Sequence, residues 1–187
     1  MGVLFVFECM DLIFPYKAIS DFKASFTSTN RYPMEKTFDI LLKNRKILHD
    51  FLQNTPKEDL FKVPEGFNNN IWWNIAHVVV TPQLLMYKLS GLDFTIEEEL
   101  VNKYKKGTFP DGEPSKEEQE KISAYLFSTI KHIQLDYEHG KFRNFQEYMT
   151  TPKIGLHSPE DALSFNVFHE GLHLGAILAL KKALAQG

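Results

Sequence analysis

Residues 158–183 read SPEDALSFNVFHEGLHLGAILALKKA, and the fold turns on how this stretch is read. Ser158 is placed as an N-cap, Pro159 at the first helical position, and Glu160 and Asp161 put negative charge in the first turn. These signals predict one helix running to about Ala183. Within it, His169 and His173 lie four residues apart. Four steps of about 100° bring both imidazoles to one face, one turn apart, where one metal ion is within reach of both. Phe165, Val167, Phe168, Leu172 and Leu174 make the surroundings mostly apolar. An unsatisfied polar group buried there costs about 1–3 kcal/mol, so the two histidines need partners.

The same letters spell H-E-x-x-H, the zinc-protease pattern, which requires a third protein ligand that commonly lies downstream. After His173 the chain reads LGAILALKKALAQG, without His, Asp, Glu or Cys. The extended protease pattern needs Gly at 176 and His at 179, and both are alanine. The protease reading therefore fails, and a third ligand has to come from upstream.

Upstream, EKTFDILLKNRKILHDFLQN (35–54) spaces Phe38, Leu41, Leu42, Leu48 and Leu52 as an amphipathic helix does, and Thr55-Pro56 ends it. Asn68, Asn69 and Asn70 offer N-caps for IWWNIAHVVVTPQLLMYKLS, which runs to Gly91 as a C′ residue. Its apolar residues cover most of the circumference, as in a buried helix, and Pro82 should bend it locally. Residues 92–114 are mostly polar, and KKGTFPDGEP breaks regular structure. Ser115 and Glu118 form an S-x-x-E capping box for a third helix over 116–139, with Ile122, Tyr125, Leu126, Thr129 and Ile133 on one face and Gly140 as its stop. Residues 141–157 form another connection. The expected class is all-α: a four-helix bundle with longer crossover connections.

His77 lies in the apolar second helix, flanked by Trp73, Ile75, Ala76, Val78 and Val79, where a polar group is unfavourable unless partnered. It is the candidate third ligand. His132 and His139 sit among polar residues, His157 in a loop and His49 beside Asp50, so these four are read as solvated or structural.

The chain has 187 residues, 43% of them apolar, enough for one sizeable core. A net charge of −3 and the lack of a long basic run argue against nucleic acid or an anionic membrane surface as partner. Cys9 has no partner for an internal disulfide, which fits a reducing, cytoplasmic setting. The apolar start, MGVLFVFECMDLIFPYKAI, is interrupted by Glu8 and Asp11 and lacks a basic n-region, so neither a signal peptide nor a membrane span is expected. Residues 1–33 are read as an N-terminal extension, with Met34 a candidate natural start, and residues 34–187 as the bundle domain.

GFNNNIWWNIAHVVVTPQLLMYKLSG (66–91) followed by SFNVFHEGLHLGAIL (164–178) resembles the DinB-like superfamily of metal-binding four-helix bundles, over roughly residues 35–185. The resemblance implies a triad of one histidine on the second helix and an H-x-x-x-H pair on the last, here His77, His169 and His173. It also implies a homodimer, and an activity among the thiol S-transferases and thiol-dependent isomerases found in similar proteins, which use low-molecular-weight thiols.

Three neutral imidazoles leave a divalent ion its full charge and open positions. Zn²⁺ or Ni²⁺ is expected first, with Fe²⁺ or Mn²⁺ as alternatives. Such an ion stabilises a thiolate, polarises a carbonyl or activates water. The leading expectation is a metal-dependent thiol S-transferase acting on small electrophiles. The alternatives are a hydrolase that uses metal-activated water, with Glu170 or a nearby polar group as proton acceptor, and a non-catalytic, stress-associated metal-binding bundle. Glu170 points about 100° around the helix from His169, which equally suits support or packing. Asn74, Thr81, Asn166 and Tyr125 are candidate site-lining residues. Trp72 and Trp73 are read as core or interface anchors, and Gly171 and Gly175 as permitting close helix approach.

Overall fold

A computed structural model describes residues 34–186; the expectations for residues 1–33, the extension and Cys9 among them, lie outside the described residues. Six α-helices occur among the described residues: α1 (Met34–Asn54), α2 (Lys57–Phe61), α3 (Ile71–Pro82), α4 (Glu98–Tyr104), α5 (Lys116–Glu138) and α6 (Pro159–Leu184). A two-stranded antiparallel ribbon pairs β1 (Tyr148–Met149) with β2 (Gly155–Leu156). The all-α expectation holds, with α1, α3, α5 and α6 as the four long members. α1 packs on α5 and α6, and α3 packs on α6 and α5. Chain neighbours α1 and α3 therefore lie mainly across the diagonal, and even the short 55–70 connection is a crossover.

The helix starts follow the local chemistry. Asn70 Oδ1 accepts the Trp73 backbone N–H at 2.8 Å, and Ser158 Oγ accepts that of Asp161 at 3.2 Å. Asn70 also donates through Nδ2 to the Phe61 carbonyl at 2.7 Å, tying α2 to the start of α3. Asn70→Ala removes both bonds and is expected to cost about 1–2 kcal/mol, measured as a shift in urea midpoint at constant m-value. Ser115 Oγ accepts the Glu118 N–H at 3.1 Å, but only this half of the expected capping box forms. The Glu118 carboxylate instead accepts from the Tyr104 hydroxyl and, at 3.1 Å, from Lys103 Nζ. Two donors from α4 outcompete one backbone N–H.

Every residue of α3 is buried, which explains why its apolar residues run all round: it is the central helix. Pro82 does not stop the chain. The α-helix continues as a π-helical turn, Gln83–Tyr87, and a 3₁₀ turn, Lys88–Ser90, to Gly91 at φ 69°. Proline has no N–H to give the carbonyl four residues back. That orphan, the Val78 carbonyl, accepts Arg45 Nη2 from α1 at 2.8 Å. A local defect in α3 thus becomes a tie between helices.

Three expectations need correction. The 92–114 stretch contains α4, seven residues whose Leu100, Val101 and Tyr104 are buried. An element this short owes its stability to packing on α3, so periodicity gave little warning. The ribbon β1–β2 likewise sits inside the 141–157 connection, and α2 lies in the Pro- and Gly-containing stretch after Thr55-Pro56, which the sequence reads as a loop. Gly171 and Gly175 do not serve close approach, because a Cβ added at either meets nothing within 4 Å. They share the outer face of α6 with Phe168, 39% exposed, and Leu178, 58% exposed. The helix α6 is long and apolar enough to cross a membrane by length and composition. Its inner face, Ala162, Leu163, Asn166, Glu170, Ile177 and Leu180, is buried in the bundle, while most of its other residues are half-buried or exposed.

Candidate metal centre

His77 comes from the middle of α3, His169 and His173 from consecutive turns of α6, and these two helices pack against each other. One ligand nitrogen from each of the three histidines lies within 4.8 Å of the others. His169 Nε2 stands 3.2 Å from His77 Nε2 and 3.1 Å from His173 Nε2. Two nitrogens held at about 2.0–2.1 Å from one ion stand roughly 3.0–3.4 Å apart. Both spacings to His169 match.

The hydrogen bonds behind the rings fix which nitrogens face inward as lone pairs. His77 Nδ1 lies 2.6 Å from the Tyr104 carbonyl, which can only accept, so Nδ1 carries the proton and Nε2 is bare. His173 Nδ1 lies 2.7 Å from Asn74 Oδ1. The Asn74 amide cannot be turned round, because its Nδ2 donates to the Asn70 carbonyl at 2.8 Å. His173 Nε2 is therefore bare as well. His169 Nε2 can carry one proton and satisfy one of these lone pairs, never both. Thr81 Oγ1 lies 3.3 Å from His77 Nε2 while its own hydrogen bonds the His77 carbonyl at 2.8 Å, adding another lone pair to the same space. A cation satisfies this convergence; a purely hydrogen-bonded triad does not.

Burial is the largest cause lowering all three imidazole pKa values. His77 falls to about 4, partly offset by its bond to the Tyr104 carbonyl. His169 falls to about 3, helped by His77 and the Arg45 guanidinium. His173 lies well below the ordinary value. His169 and His173 are half-buried as residues, and His169 Nδ1 itself is buried. All three are neutral at pH 7, as metal ligation requires. Trp73 lies flat on His77 with centroids 4.7 Å apart and planes within 9°, and bonds Thr108 Oγ1 at 3.1 Å, so the ring is clamped on its face and its edge.

The shifts carry a pH dependence. His77, only 6% exposed, is held near 4 in the fold against about 6.5 unfolded. The unfolded chain binds more protons between these values, so the stability from neutral His77 is complete above pH 6.5 and is lost as pH falls toward 4. For metal-free protein the loss amounts to about 3 kcal/mol across that window. The slope should show in urea titrations between about pH 5 and 6.5 and be visibly shallower in His77→Gln.

Glu170 is fully buried, with one carboxylate oxygen bonded and the other, Oε2, without a hydrogen-bond partner. Its Oε1 accepts Arg45 Nε at 2.9 Å, Arg45 Nη2 at 2.8 Å and Asn166 Nδ2 at 3.0 Å. Burial pushes its carboxyl pKa up, against the pull of Arg45, Asn44 and Asn166. This carboxylate holds α6 to α1. Tyr125 is engaged elsewhere, its hydroxyl donating to Glu97 Oε2 at 2.9 Å. Trp72 and Trp73 are both core residues. Outside the triad, His132, His139 and His157 are exposed, and His49 packs beside the Phe127 ring.

Two participants escaped the sequence reading. Tyr104 acts through its main-chain carbonyl, which leaves no side-chain signal. Arg45 left one: it stands between Leu41 and Leu48 at spacings of four and three, a charge inside the apolar stripe of α1. Compared with known proteins, the chain is matched by the sequence model of the DinB superfamily over residues 40–177. No curated protein matches it.

Proposed function

The chain belongs to the DinB superfamily, and on that premise we propose that it is a divalent-metal-dependent thiol S-transferase acting on small electrophiles. The observation that carries the reading is the convergence of the bare Nε2 atoms of His77 and His173 on His169 Nε2, at 3.2 and 3.1 Å. Zn²⁺ or Ni²⁺ suits such a set first, and its chemical contribution when bound is to favour the thiolate form of a small thiol at neutral pH. The protein's part is positional. The Tyr104 carbonyl and Asn74 fix the tautomers of His77 and His173, and Trp73 keeps the His77 ring from turning. Three neutral imidazoles add no negative charge, so an anionic sulfur is attracted and not repelled. Thr81 Oγ1, already a donor to the His77 carbonyl, presents only acceptor capacity there and suits a group that brings its own proton.

In the reaction the thiolate sulfur forms a bond to the electrophilic carbon, and the leaving group departs with its electron pair. Hydrolysis is the runner-up: the Glu170 carboxylate has Oε1 bonded to Arg45 and Asn166 and only Oε2 without a partner to take a proton. The test is a panel of low-molecular-weight thiols with one generic electrophile, run with metal-loaded and metal-stripped protein. Conjugation that needs both thiol and metal supports the reading. Full conjugation by stripped protein, or metal-dependent turnover without thiol, overturns it.

A further inference from the structure

His77 and His173 each have an acceptor for the Nδ1 proton, but His169 does not. Its Nδ1 is buried without a hydrogen-bond partner, and so is Asn166 Oδ1, an acceptor on the same helix three residues earlier. On α6, His169 and Glu170 stand one turn above Asn166 and flank it on opposite sides, by about 60° and 40° of rotation. Side chains on a helix lean toward its N-terminus, so both reach back over Asn166. The Asn166 amide is planar and already oriented: Nδ2 donates to Glu170 Oε1 at 3.0 Å. A flipped amide would set its oxygen against that carboxylate. With Nδ2 committed to the Glu170 side, Oδ1 is left for the His169 side.

We infer that Asn166 is a positioning residue of the metal centre: in the loaded site its Oδ1 accepts the Nδ1 proton of His169, with the amide held by the Arg45–Glu170 pair. The inference rests on the metal-binding reading of the triad. It makes Asn166 the counterpart of Asn74, which does this for His173 from α3. It also connects the Arg45–Glu170 pair to the site: Arg45 orients Glu170, Glu170 orients Asn166, and Asn166 sets the tautomer and plane of His169. The fixed tautomer leaves His169 Nε2 bare, so all three Nε2 atoms then offer lone pairs. Partners of this kind typically change metal affinity by about 10–100-fold.

The experiment uses the full chain with Zn²⁺ as probe, measuring Kd by chelator competition and the imidazole Nδ1 protons of the loaded protein by ¹⁵N-edited NMR. Wild type should show three slowly exchanging Nδ1 protons, assigned by single histidine substitutions. Asn166→Leu should lose the His169 signal alone and weaken Zn²⁺ binding about 10–100-fold. The double variant Asn166→Asp/Glu170→Gln restores an acceptor toward His169 and a donor toward Asp at 166. It should regain the third proton and a Kd within threefold of wild type or tighter. Unchanged Kd and three intact signals in Asn166→Leu overturn the inference. If Asn166→Leu does not fold, a folded double variant that lacks the His169 proton overturns it equally. Failure of wild type to bind Zn²⁺ at the triad overturns the metal reading and this inference with it, whereas tight wild-type binding that ignores Asn166 overturns this inference alone.

Discussion

Replacing Arg45 with methionine is expected to destabilise the fold by about 3–5 kcal/mol, the range for breaking a buried ion pair by removing one partner. Arg45 and Glu170 are both fully buried, and the guanidinium makes two contacts to Glu170 Oε1, at 2.9 and 2.8 Å. Methionine fills much of the volume but strands two acceptors. One is the carboxylate. The other is the Val78 carbonyl, which Pro82 cannot serve from within α3 and which Arg45 reaches at 2.8 Å. The orphaned carbonyl alone costs about 1–3 kcal/mol. Lysine at 45 is also a poor substitute, since a point charge cannot span the carboxylate and the carbonyl as a planar fork does. Without Arg45, burial holds the Glu170 carboxyl protonated well above its unfolded pKa. A group whose folded pKa is raised stabilises at low pH and ceases to as pH rises, so the deficit should shrink as pH falls toward 5. Pairing Arg45→Met with Glu170→Met removes the stranded charge and should recover part of the loss. Urea denaturation across the single and double variants measures both effects. A single variant within about 1 kcal/mol of wild type contradicts the account.

Removal of His77 should abolish metal-linked stabilisation. Structural zinc sites with four ligands bind with about 10–16 kcal/mol, so one imidazole accounts for roughly 3 kcal/mol or more, a hundredfold or greater change in Kd. A ligand at 100 times its Kd raises stability by about 2.7 kcal/mol, a shift of several degrees in Tm. At the same Zn²⁺ or Ni²⁺ concentration, His77→Ala should show almost no shift and carry little metal when purified without added ions. His49→Ala, whose ring packs beside Phe127 away from the triad, is the control and should retain both. Equal metal content in His77→Ala and wild type rules out the triad as the binding site. His77 is the sharpest of the three positions, since it is the candidate ligand contributed by a second helix. Losing it leaves a His169–His173 pair on one helix, which needs other groups to complete coordination.

How much of the site was legible depends on how each residue makes its contribution. His169 and His173 announce themselves because a helix converts a four-residue spacing into adjacency. His77 is legible from its surroundings, a polar ring in a helix otherwise apolar on all sides. Glu170 raised a question of role that spacing could not answer, because the angle that turns it from the triad says nothing about what waits on the other side. Arg45 waits there, from a helix more than a hundred residues earlier. Tyr104 lies in a helix too short for its pattern to register, and it contributes a group that every residue possesses.

By itself the sequence determined the long helices, their starts at Asn70, Ser115 and Ser158, the class of fold and the three metal-binding candidates. These depend on contacts within one or two turns, and chain geometry alone enforces them. Tertiary structure decided the tautomers of His77 and His173, the capture of Glu170 by Arg45, the rescue of the Val78 carbonyl and the diversion of Glu118 to Tyr104. Each of these is a competition for a buried donor or acceptor between groups far apart in the chain. Its outcome depends on which helices become neighbours, and only packing settles that.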